Sequence, residues 1–472
     1  MKERSPRPSA PGLLAAAAAL SLLPALSWPA LGPRYGGQLA VGTAALPATL
    51  EPAASGPGAV VLTQVHEPLL DVGGAGFPHP ALAEGWSVAA GGREWSVRLR
   101  EGLRFHDGAP VTAADAVRSL RRFLRGGTTA AAGLAAALEG GREYATGATD
   151  QVAGLTAADP RHVVLRFVAP RALPLAPLAS LAASVTSTAG AGAGAFVPAA
   201  PVPGRKLALT GFNGHFGGRP YLDGLAIVPA GPTPGAAAEV RSGRIDLVPG
   251  PPGVSALAGT LLLVLDPSRA PFTDPKVREA VGAAIDRAEM VRHLVPGGDP
   301  APSLVVPALL PPLGAPASPA APTVSVSGSV RLAVDRSVAP PVSQRVVAHL
   351  TALGLDVSVS PLPGTEARAA RAEARLLMLV PEVPEAALAL RELLALAPSA
   401  PEAEAALDAA DSEMDVDRRR RQLHRAEQAL RDRDCLVPLA SVPVSFTVRP
   451  GVHGARVDTA GRLILEDAWR EP

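Results

Sequence analysis

Residues 82–124 read LAEGWSVAAGGREWSVRLREGLRFHDGAPVTAADAVRSLRRFL and carry the clearest local signals of the chain. Apolar and polar residues alternate over residues 95–99 and, after a glycine turn, over residues 103–105, which predicts two short strands. Thr112 is followed three residues later by Asp115, and this spacing is close to a capping box. The segment therefore predicts a hairpin that leads directly into a helix.

Three phrases of this stretch resemble the signature of the extracellular solute-binding proteins, family 5, the oligopeptide, dipeptide and nickel receptors of ABC importers. They are LAEGW at residues 82–86, FHDG at residues 105–108 and TAAD at residues 112–115. They occur in the order and spacing of the family, which makes the match specific. The resemblance implies a receptor fold, in which His106 and Asp107 shape a turn and have no catalytic role.

Further phrases of the family follow in the same order along the chain. They are a glycine turn with Gly192, Gly194 and Phe196, GGRPYLDG at residues 217–224, SGRIDL at residues 242–247, and PFTDPKVREAVGAAIDR at residues 271–287. The first three are structural phrases that support tight turns. The last predicts a helix from residue 275 to residue 288, because its apolar residues recur at helical spacing.

Composition limits the class of protein. A chain of 472 residues with 47% hydrophobic residues can bury two or more cores. The formal net charge of +1 argues against a nucleic-acid partner, since binding to phosphates needs a concentrated basic surface. The single cysteine, Cys435, excludes an internal disulfide and is interpreted as a small buried apolar residue.

The N-terminal segment has the pattern of a secretory signal peptide. Lys2, Arg4 and Arg7 precede an apolar run at residues 13–26, and the small residues Ala25 and Ser27, on either side of Leu26, offer a cleavage context. Residues 1–30 are therefore predicted to be the signal peptide. The lipid-anchoring cysteine that many relatives carry after this segment is absent, which favours a periplasmic or secreted protein over a lipoprotein.

The second half of the chain predicts a separate lobe. The continuous apolar run at residues 261–265 is typical of a buried strand. A strand at residues 330–334, a helix at 341–353 and a strand at 355–359 form a βαβ unit with a parallel strand pair. The predicted fold class is α/β, a two-lobed periplasmic binding protein of type II-like architecture, with mixed sheets, flanking helices and a hinge between the lobes.

The domain boundaries follow from the same reading. Lobe I is predicted to comprise residues 36–260 together with 436–472, and lobe II residues 261–435. The hinge is predicted to pass through residues 261–266 and 436–441.

Four ligand-binding residues are predicted from the resemblance. Thr63 and His66 fall in a region that contributes to the cleft wall in relatives, although an ordinary partly buried histidine is the alternative for His66. Asp266 ends the predicted buried strand, where relatives usually carry Asn. Glu382 could replace an acid that holds the amino terminus of a peptide in peptide-binding relatives. The surrounding residues 376–385 lack the Trp and the Asp-Pro pair of those relatives.

No catalytic residue, metal ligand or cofactor is predicted. The sequence contains no nucleophile elbow, phosphate loop, zinc-protease motif or cysteine pair, and its nine histidines are scattered. We therefore expect a protein that is not an enzyme.

The resemblance implies a substrate-binding component of an ABC importer. Its expected partners are a peptide and a membrane permease, and the expected state is a monomer. Two alternatives stay open at this point. One is a family 5 receptor for a metal chelate or a sugar, and the other is a degenerate member that acts as an interaction or sensor protein.

Overall fold

The computed structural model describes residues 32–52, 58–73, 76–199, 206–231, 235–313, 326–397 and 399–471. The predicted signal peptide, residues 1–30, lies outside these ranges. The strands are Gln38–Thr43, Leu70–Val72, Pro78–Pro80, Ala83–Ala89, Glu94–Leu99, Leu155–Ala157, His162–Arg166, Phe196–Pro198, Leu207–Gly211, Gly224–Pro229, Leu247–Leu265, Asp299–Pro300, Gly328–Asp335, Leu355–Leu362, Ala374–Leu379, Leu436–Val448, Val452–His453, Arg456–Val457, Leu463–Ile464 and Trp469–Arg470. The α-helices are Ala59–Val65, Ala113–Leu124, Thr129–Ala137, Gly141–Ala145, Ala236–Arg241, Pro275–Ala284, Arg287–Leu294, Pro340–Ala352, Gly364–Ala369, Ala386–Leu394, Pro401–Ser412 and Val416–Arg431.

The largest sheet has ten strands and mixes parallel and antiparallel pairs. In one half of the sheet, Gln38–Thr43 runs parallel to Gly224–Pro229. In the other half, Gly328–Asp335 runs parallel to Leu355–Leu362, with helix Pro340–Ala352 between them in sequence. The predicted βαβ unit and the mixed α/β class are therefore confirmed.

Two long antiparallel strands connect the two halves of this sheet, and we call Leu247–Leu265 and Leu436–Val448 the crossing strands. The first crossing strand pairs with Val41 at Leu247 and with Ala374–Leu379 over its last six residues. The register shifts of the pair lie between Pro249 and Val254, between Leu257 and Gly259, and between Leu261 and Leu262. The segments predicted as the hinge thus lie largely within the regular, fully paired part of the sheet, and most of the irregular part precedes residue 260.

Buried apolar residues form several cores that follow the two halves of the chain. One core is built from residues 69–193 and another from residues 39–247 and 446–468. Two further cores lie within residues 261–440. Val383 and Leu388 are exceptions, because they pack into the core of residues 69–193. This distribution agrees with two lobes, and the exact lobe boundaries given above stay a prediction.

The stretch at residues 82–124 forms the expected helix. Thr112 and Asp115 form a reciprocal capping box, in which Thr112 N donates to Asp115 Oδ2 at 3.0 Å and Asp115 N donates to Thr112 Oγ1 at 3.3 Å. Strand Glu94–Leu99 is also confirmed and lies in a four-stranded antiparallel sheet. The second predicted strand, at residues 103–105, is wrong. A turn through Gly108 at φ 83° folds this segment back, so that it makes only an isolated bridge.

The helix predicted over residues 275–288 is two helices. The first ends at Ala284, and Asp286 begins the second by accepting a hydrogen bond from Glu289 N at 2.8 Å. An aspartate at this position favours a new helix start over continuation, because its side chain satisfies a free N–H of the first turn.

Candidate functional site

The candidate site lies where lobe II reaches lobe I, immediately after strand Ala374–Leu379. Glu382 is half-buried, and its Oε1 accepts hydrogen bonds from Ser180 Oγ at 2.5 Å and from Thr128 Oγ1 at 3.3 Å. Ser180 and Thr128 are more than 200 residues away from Glu382 in sequence and belong to the other lobe. We call Thr128, Ser180 and Glu382 the interlobe acid site.

Lobe I holds both hydroxyl groups by local helix capping. Thr128 precedes helix Thr129–Ala137, and its Oγ1 accepts a hydrogen bond from Ala131 N at 3.1 Å. Ser180 precedes a short 3-10 turn, and its Oγ accepts from Ala182 N at 3.1 Å. A hydroxyl group that accepts a backbone N–H still has its own proton to donate. Both protons are therefore available to the carboxylate of Glu382.

Two acidic side chains share this region. Burial raises the pKa of Glu382, and the hydrogen bonds from Ser180 and Thr128 lower it in part. Glu392 Oε1 accepts Glu382 N at 3.1 Å, and burial raises the pKa of Glu392 as well. Arg368 lies 4.0 Å from Glu392. A cationic group that entered here would gain favourable interactions with both carboxyl groups.

Ion pairs connect the two lobes beside this site. Asp411 of lobe II lies 2.7 Å from Arg171 of lobe I and 2.7 Å from Arg391 of its own lobe. Ala172 N also donates to the backbone oxygen of Asp411 at 2.9 Å. Together with the packing of Val383 into the core of residues 69–193, these contacts join the two lobes in the structure.

Thr63 and His66 lie on or next to helix Ala59–Val65 and line a second small cavity. Thr63 Oγ1 donates to Ala59 O at 2.7 Å, so its hydroxyl proton is used within the helix. His66 is 1% exposed, and its Nε2 donates to Leu50 O at 2.5 Å. Its Nδ1 is buried and has no hydrogen-bond partner among the described residues. Burial lowers the pKa of His66 to about 4, so the ring is neutral.

This cavity adjoins the interlobe acid site through Arg462. The guanidinium of Arg462 donates hydrogen bonds to Asp458 at 2.6 Å, to Asp71 at 2.7 Å and to Ala179 O at 3.3 Å. Ala179 is next to Ser180, and Leu181 lines the cavity itself. Thr63 and His66 therefore share a cavity with Leu181, the residue after Ser180, and Glu382 does not line that cavity.

The structure does not bring Asp266 to this place. Leu265 pairs with Ala374, at the opposite end of the strand that leads to Glu382. Asp266 accepts Ser268 Oγ at 2.6 Å and lies 3.2 Å from Arg269. Asp266 stabilises a local turn, and we do not include it in the proposed site.

The cavity beside the lobe contact is small, with a volume of about 50 Å³, and Arg171 of lobe I and Asp411 of lobe II both line it. The cavity next to Thr63 and His66 measures about 60 Å³, and one beside Glu392 measures about 20 Å³. Ligand pockets are typically about 300–1,000 Å³. A ligand of dipeptide size or larger would have to enter while the lobes are apart.

Among the residues that the structure describes, no cluster of three or more His, Cys, Asp or Glu side chains could hold a metal ion. In the same part of the chain, no helix is long and apolar enough to cross a membrane.

Sequence reasoning missed Thr128, Ser180 and Glu392. Thr128 carried a signal, because a threonine before an alanine-rich run is a typical helix cap. Ser180 lies in an apolar context with no local pattern, and Glu392 reads as an ordinary helix residue.

Solved structures identify the architecture as that of periplasmic binding proteins. The murein tripeptide binding protein MppA of Escherichia coli superimposes with a TM-score of 0.78 at 19% identity, over 92% of this chain and 98% of that one. The unliganded open form of MppA gives a TM-score of 0.70. The binding protein AgaA of A. tumefaciens R10, in complex with agropinic acid, gives 0.75 at 19% identity, over 92% of this chain and 99% of that one. The two-lobed fold class is therefore confirmed.

The family follows from the sequence comparison. The model of the bacterial extracellular solute-binding proteins, family 5 Middle, matches residues 78–323, just over half of the chain. The chain belongs to this family. A probable peptide ABC transporter periplasmic-binding protein of Sinorhizobium fredii is 38% identical over 64 residues, which are 14% of this chain and 12% of that relative. The match to this relative thus spans only a small part of its length. The family comprises solute-binding receptors.

Proposed function

We propose that this protein captures peptides in the periplasm and delivers them to an ABC transporter permease. The observation that carries the proposal is the contact of Glu382 with Thr128 and Ser180 across the lobes. A carboxyl group between two lobes can bind the ammonium group of a peptide and thereby favour the closed form. The periplasmic names of the similar proteins support the location, and a monomer is part of the proposal.

The proposed mechanism is closure about the crossing strands. The register shifts between residues 249 and 259 mark the section where the pair can change its twist at the lowest cost in hydrogen bonds. A ligand that contacts both lobes binds the closed form more tightly and shifts the population toward it.

Binding would exchange internal contacts for ligand contacts. In the structure, the hydroxyl groups of Thr128 and Ser180 donate hydrogen bonds to Glu382. An incoming ammonium group would stabilise the carboxylate and leave both hydroxyl groups able to donate elsewhere. The closed form without ligand is therefore a competitor of the ligand complex.

The test is peptide binding by the parent protein and by Glu382→Gln. Native mass spectrometry with a library of short peptides identifies ligands, and calorimetry then gives their affinities. Glutamine keeps the hydrogen bonds to Thr128 and Ser180 but carries no charge, so we expect affinity for a free amino terminus to fall by about tenfold or more. Glu366→Gln, at an exposed residue of the same lobe, is the control. Equal affinities of Glu382→Gln and the parent would refute the amine contact.

A non-peptide ligand is the second candidate. The similar AgaA structure holds agropinic acid, and the chain has only 3% aromatic residues with which to line a pocket. A thermal-shift screen of sugars, opine-like acids and metal chelates separates this candidate from peptides. Stabilisation by one such solute and by no peptide would replace the first proposal.

A further inference from the structure

Lobe II contains a large cavity away from the interlobe acid site. Its volume is about 610 Å³, within the range of about 300–1,000 Å³ typical of small-molecule sites. It lies beside residues 436–438 of the second crossing strand and the end of helix Pro275–Ala284. Leu436 pairs with Val264, at the far end of the crossing strands from their contact with lobe I. The cavity is therefore separate from the proposed peptide site.

Three arginine side chains line this cavity and are held in place by backbone oxygens. Arg287 Nε donates to Pro438 O at 2.8 Å, and Arg431 Nη1 donates to Pro302 O at 2.9 Å. Arg278 donates to Phe272 O at 2.8 Å. Each guanidinium has five N–H groups, so these contacts fix the side chains and leave donors available.

Within the described residues, the three arginines interact with acidic groups only beyond ion-pair distance, Arg278 with Asp434 and Arg431 with Glu427. None of the three arginines forms an ion pair with a carboxylate in the described part of the chain. Burial lowers the pKa of Arg287, and the charge of Arg431 lowers it further. The two guanidinium groups thus repel each other in a partly desolvated space, and a bound anion would relieve that repulsion.

The acidic residues nearby do not take the place of a bound anion. Glu279 and Asp286 are exposed, and Asp286 caps the following helix. Burial raises the pKa of Asp434, Glu279 raises it further, and the charge of Arg278 lowers it in part. Glu427 is buried, and its Oε1 accepts Leu304 N at 2.7 Å. These acids are either directed to solvent, used in a cap or backbone contact, or less readily ionised.

We propose that this cavity binds a small oxyanion, a carboxylate or a phosphate, between Arg287 and Arg431. Planar guanidinium groups match the geometry of both anions. The proposal does not depend on the function of the interlobe acid site.

Gly282 provides a way to fill the cavity without changing the arginines. It lines the cavity inside helix Pro275–Ala284, and a Cβ atom there would meet nothing within 4 Å. Leucine is also a better helix former than glycine, so Gly282→Leu favours the fold while it occupies the space.

The experiment compares anion binding to the parent chain and to three variants. The probes are inorganic phosphate, acetate and alanine, measured by thermal shift against chloride at equal ionic strength and then by calorimetry. The variants are Arg287→Gln/Arg431→Gln, Gly282→Leu and the control Arg292→Gln/Arg425→Gln, which removes two exposed charges of the same lobe.

We expect phosphate or the carboxylates to stabilise the parent beyond chloride and the control to behave like the parent. Affinity should fall by about tenfold or more in the double arginine variant and in Gly282→Leu. A response to phosphate alone identifies a phosphate ligand, and a response to acetate and alanine identifies a carboxylate. The proposal is overturned if no probe exceeds chloride or if Gly282→Leu binds with parental affinity. Because Gly282→Leu leaves the arginines in place, it decides the question even if the double variant does not fold.

Discussion

Acidification should destabilise the protein through His66, and the size of the effect can be worked out. The pKa of His66 is lowered from 6.5 to about 4, because the ring is buried. Above pH 6.5 the ring is neutral in both the folded and the unfolded chain, so it does not affect stability there. Below pH 6.5 the unfolded chain takes up a proton that the folded chain does not, and stability falls until the pH reaches the folded value. The complete shift corresponds to about 3 kcal/mol.

Urea unfolding at neutral pH and at about pH 4.5 measures this effect. Linkage predicts that the His66 contribution costs the parent about 2.5 kcal/mol at the lower pH. His66→Gln has no titrating group at this position and should lose that much less on acidification. His293→Gln, which alters an exposed histidine in lobe II, should behave like the parent. Other groups also respond to acid, so the decisive quantity is the difference between parent and variant. An equal loss of stability in the parent and in His66→Gln would refute the reasoning.

Two further predictions concern the lobe contact and the capped helix. Asp411→Asn removes the charge that joins Arg171 to Arg391, so the ligand-free protein should show a larger radius of gyration by X-ray scattering. Asp408→Asn is the matched control, because Asp408 bonds Arg391 within lobe II, and equal profiles for both variants would contradict the assignment. Thr112→Ala should lower the free energy of unfolding by about 1 kcal/mol, because it removes the helix cap. Parental stability of this variant in urea would show that the cap contributes nothing measurable.

Local signals predicted the parts of the fold that depend on neighbours in sequence. The helix after Thr112 could be read because its cap and its first turn lie within four residues. The sequence predicted the first crossing strand only over residues 261–265, where the apolar run is continuous. Its earlier part, residues 247–259, contains glycines and prolines, and it is extended because it pairs with the other crossing strand. Such pairing is made by residues nearly 200 positions away and leaves no local pattern.

The candidate site was predictable only in part for the same reason. Glu382 was reached through its position relative to the family pattern, whereas its partner Ser180 has no distinguishing context. Asp266 was chosen because it follows an apolar strand. The antiparallel pairing of that strand with Ala374–Leu379 places Asp266 and Glu382 at opposite ends. Sequence alone does not reveal the direction in which two strands pair, and here the direction decides which acid faces lobe I.

The same pairing links the acid of lobe II to the section about which the lobes turn in the proposed mechanism. Leu379 pairs with Thr260, and Thr260 follows the register shift that ends at Gly259. Glu382 is three residues beyond Leu379, so any rotation of lobe II about the irregular section carries Glu382 with it. Its hydrogen bonds to Thr128 and Ser180 are then made or broken by the rotation itself. A ligand that competes for Glu382 therefore acts directly on the equilibrium between open and closed lobes, because that equilibrium responds only to contacts that differ between the two forms.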